Sequence, residues 1–381
     1  TIDMKNNETL GLKRENGFVF IKPRTIINVG PSVQAATQIA AQCLSKRLKQ
    51  LNGKWVPLLA DWRMRFFYCS GMKQSDLTAL GRELMSSLVP STVTVLVMGD
   101  DALIIVVARD GTFEVFENDF SQYDQTQDDL TLTDGRRVIY SVLGFDDVVS
   151  VFEATCSGKY RSRMGKFFVQ GHREPMQATG SADTTAWNSL ENVVSCMVAF
   201  RVEGTFNQDG FAIQGYSAKL KAFDTFYGPT FLKGWWVPAA DGSGPVWVPL
   251  PSAVLKLGKT LRDPLIVFGS YGGYCHALNS CVSFDPNYPV AGSFMGTIRR
   301  FSSGSDSRRS DEGYDLVENP YKARTDAPLE VDRDYVLGMV ANRYQLSIPL
   351  IEDAERLLQQ VDRLPCVVSH HVFTRLAAVD Y

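Results

Sequence analysis

The sequence predicts an α+β fold organised on an antiparallel sheet, and three observations carry that expectation. Two apolar, β-branched runs at 92–98 and 102–108 enclose Gly99-Asp100-Asp101. A second turn signal, Arg109-Asp110-Gly111, is followed by a third apolar run at 112–116. Helical periodicities at 31–51, 75–88 and 184–201 flank this strand-rich centre. Asp-Gly supplies φ > 0 cheaply, so the three runs read as one meander.

Size and composition set the frame. At 381 residues the chain can bury one large core or two smaller ones. Its 45% hydrophobic and 21% charged residues are those of an ordinary globular protein. No apolar run reaches about 18 residues, so no membrane span is expected. The chain opens on Thr1 and a polar dozen residues in which no signal peptide is visible, and it reads as a processed product or an excised fragment. The net charge of −3 alone argues against a nucleic-acid binder, but the charge is unevenly placed. Residues 1–65 hold eleven Lys or Arg against four acids, an excess of +7 that suits a phosphate-binding surface or a solvated basic face. Seven cysteines are scattered without a CxxC pair, which fits free thiols in a reducing compartment. Cys275, His276, Cys281, His370 and His371 could be drawn as a zinc set, but their spacing matches no usual ligand pattern.

In chain order, residues 17–28 alternate and then meet Pro23, as extended chain does. Pro31 suits the first turn of a helix over 31–51, with apolar residues recurring at Ala35, Ile39, Cys43 and Leu51. Ser75 reads as the N-cap of a helix over 75–88. The meander follows, and its third strand delivers Asp119. Residues 125–178 are mixed, with a basic stretch at Lys159, Arg161, Arg163, Lys166 and Arg173. Residues 184–201 form a long helix with an apolar face. Residues 228–237 and 246–248 flank Asp241-Gly242-Ser243-Gly244 as a further hairpin. The stretch 301–315, rich in Ser, Arg and Asp, reads as a mobile loop. From Leu329 onward the chain is mostly helical, most clearly at 352–361. No internal repeat is present.

Chemistry concentrates in three stretches. Asn118-Asp119-Phe120-Ser121-Gln122-Tyr123-Asp124 carries two carboxylates five apart. Thr179-Gly180 is followed by Thr184 and then by Asn188-Ser189. Met98-Gly99-Asp100-Asp101 sits between the two apolar runs. A lone Gly-Asp-Asp is a common turn; between two β runs, and followed by Asp-x4-Asp, it is a stronger signal. Together the stretches resemble motifs A, B and C in the palm of viral RNA-dependent RNA polymerases. Their order, C then A then B, resembles the permuted palm of permutotetraviruses and birnaviruses. Such a palm resembles a four-stranded antiparallel sheet in which the motif A strand adjoins the second strand of the motif C hairpin. A tight turn such as Asp110-Gly111 can therefore join them.

The resemblance implies a right-hand polymerase fold with an antiparallel palm sheet, helical fingers and a mostly helical thumb. It places fingers elements, including motif F, in residues 1–90. It places the palm in 91–260, with an inserted fingers segment near 127–178, and the thumb in 261–381. The implied reaction is template-directed transfer of a nucleotide from an NTP to an RNA 3′ hydroxyl, with two Mg²⁺ ions that Mn²⁺ could replace in vitro. Such chemistry holds two cations about 3.5–4 Å apart, and Mg²⁺ takes hard carboxylate oxygens. Asp100 and Asp119 would be ligands, with Asp101 adding a ligand or tuning the second metal. Asp124 and Asn188 would sense the ribose 2′ hydroxyl, which is both donor and acceptor. Gly180 and Thr184 match the rest of motif B, with Thr179 where the family usually has Ser. Lys22-Pro23-Arg24 resembles motif F, whose basic residues face the triphosphate. Residues 210–221 resemble motif D and offer Lys219, or Lys221, as proton donor to the leaving pyrophosphate. Phe231, Leu232 and Lys233 resemble the primer-supporting motif E; no motif G is recognisable.

The implied partners are an RNA template and primer, NTPs, and a protein primer or other viral replication proteins. The implied location is the host cytoplasm or the virion. A reverse transcriptase is disfavoured by Asp124 with Asn188, because a DNA-making enzyme excludes the 2′ hydroxyl. A non-catalytic RNA-binding palm protein is disfavoured by the presence of Asp100, Asp101 and Asp119 together.

Overall fold

The computed structural model describes residues 2–4, 11–15, 18–22, 25–27, 29–128, 130–164, 167–173, 176–257, 263–281, 284–303 and 329–380. The chain is mixed α and β, and its main sheet is dominated by antiparallel pairs. That sheet has six strands, in the spatial order Ala218–Phe223, Phe113–Phe120, Asp101–Val107, Thr92–Met98, Trp62–Tyr68 and Val56–Leu59. Every neighbouring pair is antiparallel except Trp62–Tyr68 with Thr92–Met98. The sheet thus exceeds the four strands expected, because Val56–Leu59 and Trp62–Tyr68 extend one edge.

The meander forms as its turns dictate. Met98 pairs with Asp101, so Gly99-Asp100 is a two-residue hairpin loop, and Gly99 takes φ 66°. The next loop has three residues. The Ala108 N–H donates to Thr112 O (2.8 Å), the Gly111 N–H donates to Ala108 O (3.1 Å), and Gly111 sits at φ 86°. A turn closed by a left-handed glycine is a common three-residue hairpin connection. Asp110 Oδ1 fixes it by accepting from the Thr112 hydroxyl (2.7 Å) and backbone N–H (3.0 Å). These two bonds hold the Asp110 carboxyl below the usual carboxylate range.

Strand alternation then decides what is buried. Val93, Val95, Val97, Ala102, Ile104, Phe116 and Phe120 share one sheet face and pack with Val193, Cys196, Ala199 and Phe200 of the Thr184–Glu203 helix. Burying each Val or Phe contributes about 1.5–3 kcal/mol against leaving it in water. The other face carries, across neighbouring strands, the row Met98, Asp101, Asp119 and Lys219.

Two compact units divide the chain. The first comprises residues 1–70 and 88–225; the second comprises 71–87 and 226–381. The second unit therefore takes the Gln74–Ser86 helix from the N-terminal half of the sequence. The Trp236 Nε1–H donates to Leu77 O (2.9 Å), and the Trp247 N–H donates to Thr78 Oγ1 (3.0 Å). The cap of that helix is Lys73, not Ser75. The Lys73 N–H donates to the Asp76 carboxylate at 2.9 Å, so the acid at the third helical position satisfies it and Ser75 falls inside the first turn. The second unit continues with the hairpin strands Gly234–Pro238 and Pro245–Pro249 and ends in the helices Arg333–Tyr344, Ile348–Gln359 and His371–Asp380. From residue 304, the stretch expected to be a mobile loop lies outside the described residues. Among the described residues no helix is long and apolar enough to cross a membrane.

Candidate functional site

Two of the three motif acids oppose each other at one sheet end. Asp101 and Asp119 are direct cross-strand partners. Directly opposed residues on an antiparallel pair point to the same face with Cβ atoms about 4.5–5.5 Å apart. Asp100 stands one residue away in the exposed hairpin loop. On the other side of Asp119, its cross-strand partner is Lys219, whose Nζ lies 3.3 Å from Asp119 Oδ2. Lys221 is one row further along, 4.0 Å from Glu117. The register therefore sets Lys219, rather than Lys221, beside the acids. The Lys219 and Asp119 side chains are 64% and 66% exposed, so this pair adds little stability. Cys69 lies buried close by; burial pushes its thiol up to about 12, and the Asp101 charge adds to the effect.

After Phe120 the chain turns sharply, with Gln122 in the left-handed region at φ 55°, and enters the short helix Tyr123–Thr126. That turn carries Asp124 to the Thr184–Glu203 helix. Asn188 Nδ2 donates to Asp124 Oδ1 at 2.7 Å, and the Tyr123 hydroxyl donates to the Asn188 carbonyl at 3.4 Å. Gln127 Nε2 donates to Asn188 Oδ1 at 2.9 Å. One residue further along the helix, Ser189 Oγ accepts from the Gly99 N–H (2.7 Å), and Asn192 Nδ2 donates to Gly99 O (3.4 Å). A single helix turn thus holds both the Asp124 carboxylate and the Gly99-Asp100 loop.

The loop leading into this helix is held from beneath. Thr184 Oγ1 shares its one hydrogen between Ala178 O (2.8 Å) and Ser181 O (2.9 Å), and accepts from Gln177 Nε2 (3.2 Å). Gly180 O accepts from Gln34 Nε2 of the Pro31–Leu51 helix at 3.0 Å. Arg136 is fully buried, 3.2 Å from Asp183, donates to Gln177 Oε1, and lies over the rings of Phe152 and Trp187. Burial is the largest single influence and works against its charge, but Asp183, Cys156 and Tyr140 together outweigh it and hold the guanidinium above its ordinary value. Tyr140 also donates to Asp183 at 3.1 Å.

The remaining expected residues are spread more widely. Lys22 ends the Phe18–Lys22 strand as backbone, its side chain is not among those described, and Arg24 lies outside the described residues. In the second unit, Leu232 and Lys233 form the two-residue tip between Thr230–Phe231 and Gly234–Pro238, at φ 55° and 58°. Phe231 is buried, and Lys233 is exposed. Among the described side chains, no group of three or more His, Cys, Asp or Glu is arranged to hold a metal, which includes the zinc set considered above apart from Cys281.

Gln127, Asn192 and Arg136 carried no expectation from the sequence, and Ser189 was noted without a role. One signal was there to be read. Asn188, Ser189, Asn192 and Ser195 put polar side chains at i, i+1, i+4 and i+7 of an otherwise apolar buried helix, and buried polar groups need partners. No family of known proteins matches the sequence, and no curated protein matches it either.

The sheet end offers a cross-strand pair of carboxylates rather than a three-ligand cluster, and a pair is of the kind that Mg²⁺ takes. It offers hard carboxylate oxygens at an exposed rim, already balanced by one ammonium group. Mg²⁺ commonly needs only one or two protein carboxylates and completes its shell with phosphate oxygens and water. Asp101 and Asp119 are the carboxylates that would hold it, with Asp100 in the adjoining loop.

Proposed function

We propose that this chain is an RNA-dependent RNA polymerase with a permuted palm. One observation carries the proposal: the Asp101–Asp119 cross-strand pair and the Asp124–Asn188 hydrogen bond lie within one continuous arrangement of strand, turn and helix. Acids for metal binding and a hydroxyl-reading pair are the two elements that RNA synthesis needs at adjacent places.

Each side chain then has a task. Asp100, Asp101 and Asp119 would hold the Mg²⁺ pair, which would supply positive charge for the attacking 3′ hydroxyl and the triphosphate. Asp124 accepts from, and Asn188 donates to, the ribose 2′ hydroxyl. Lys219 passes a proton to the departing pyrophosphate, a role that its position 3.3 Å from Asp119 supports. Ser189 and Asn192 keep the Gly99-Asp100 loop in place. Lys22 and Arg24, and the tip Phe231, Leu232 and Lys233, enter only through the resemblance of their sequences. The overall reaction is in-line attack of the primer 3′ hydroxyl on the α-phosphate, with release of pyrophosphate.

Primer extension on a homopolymeric RNA template, with Mg²⁺ and then Mn²⁺, tests the proposal. Extension should be metal-dependent and lost on chelation. Asp119→Ala should abolish it while RNA binding stays nearly intact, because binding rests mainly on phosphate contacts from basic residues. Near-normal extension by Asp119→Ala would remove the metal assignment.

A further inference from the structure

Asp124 sets the polarity of a chain of three side chains. A carboxylate only accepts, so the Asn188 atom facing it must be the NH₂ group. The Asn188 carbonyl oxygen then faces Gln127, and the Gln127 atom facing it must in turn be its NH₂ group. Gln127 and Asn188 are almost completely buried, at 1% and 5% exposure, so water does not compete freely for these bonds. Gln127 Oε1 is buried as well and meets no donor among the described residues. A buried amide with one atom unpartnered is costly, so the bond that its nitrogen makes is what offsets the burial of the Gln127 side chain among the described residues.

We infer that Gln127 is a specificity-determining positioning residue: by fixing the amide of Asn188, it makes the Asp124–Asn188 pair selective for a ribonucleotide sugar. The inference rests on the polymerase proposal and assigns the sugar choice to a residue outside the motifs that suggested it. With the amide fixed, Asn188 keeps a second N–H beside an acceptor carboxylate. That combination matches a hydroxyl, which donates and accepts, and has nothing to match in a deoxyribose. Without Gln127 the Asn188 oxygen loses its buried donor, and the amide, still bonded to Asp124, can swing about that one bond so that its second N–H no longer meets the sugar.

Single-nucleotide extension with matched rNTP and dNTP tests this in the wild type, Gln127→Leu and the near-isosteric Gln127→Glu. Both variants should lower the rNTP/dNTP ratio of kcat/KM by about tenfold, the cost of one lost hydrogen-bonding arrangement to a substrate hydroxyl. The loss should fall on the KM for rNTP, with dNTP use little changed. In an Asp124→Asn background, Gln127→Leu should move the ratio no further, because Gln127 acts through that carboxylate. An unchanged ratio in both variants, an equal loss for both sugars, or full additivity with Asp124→Asn would overturn the inference and leave the polymerase proposal standing. A wild type that incorporates neither sugar would overturn both.

Discussion

At the scale of single residues, Arg136 has the largest structural task. Its charge is buried against Asp183, and its removal would leave that carboxylate desolvated and without its cation. Breaking a buried pair from one side costs about 3–5 kcal/mol. Arg136→Ala should therefore lower the unfolding free energy of the first unit, measured by urea denaturation, by that amount; a change within about 0.5 kcal/mol would mean that the pair is not holding the 177–184 loop. Residues of this kind were the least legible in the sequence. Asp124 and Asn188 could be picked out because their spacings within two short stretches are distinctive. Arg136, Gln127 and Asn192 have partners set by closure of the fold, at separations of 47, 61 and 93 residues. No local pattern encodes such pairings, and a buried arginine has the same letter as a solvated one.

At the scale of elements, the sequence was most informative where side-chain period and turn chemistry agree. The 92–98 run forms the strand Thr92–Met98 with the same bounds, and Pro31 opens the helix Pro31–Leu51 as expected. The third strand runs on past residue 116 to Phe120, so Asp119 lies within it rather than beyond it. Trp62–Tyr68 carried a visible alternation in Trp62-Arg63-Met64-Arg65-Phe66, but its parallel partner lies across a helix and could not be paired from sequence. The Arg109-Asp110-Gly111 loop permits a direct test. Gly111 stands at φ 86° with open space around its Cβ direction, so a substitution there acts through backbone strain and not through a clash. Gly111→Val should cost about 1–3 kcal/mol by denaturant unfolding, with metal binding intact in the folded fraction. No measurable destabilisation would mean that the loop readily takes another conformation.

At the scale of the whole molecule, the second unit is discontinuous in sequence. It borrows the Gln74–Ser86 helix, whose Leu77 and Thr78 satisfy the Trp236 indole and the Trp247 backbone. A fragment of residues 226–381 should accordingly lack a cooperative thermal transition, and a peptide of residues 71–87 added in trans should restore one, followed by circular dichroism. Cooperative melting of the fragment alone would show that the helix is dispensable. The meander has a kinetic consequence. Asp101 and Asp119 are eighteen residues apart and joined by a tight turn, whereas Asp124 and Asn188 are 64 apart. Hairpins close in about 1–10 μs, and the longer closure costs about 1 kcal/mol more in chain entropy. Asp101 and Asp119 should thus be brought together early in folding and the Asp124–Asn188 pair late. φ-values near one within 92–120 and near zero at Asn188 would be the signature, and the reverse order would refute it. In a chain connected this way, the Asp124–Asn188 pair is also the part of the candidate site most easily lost when stability falls.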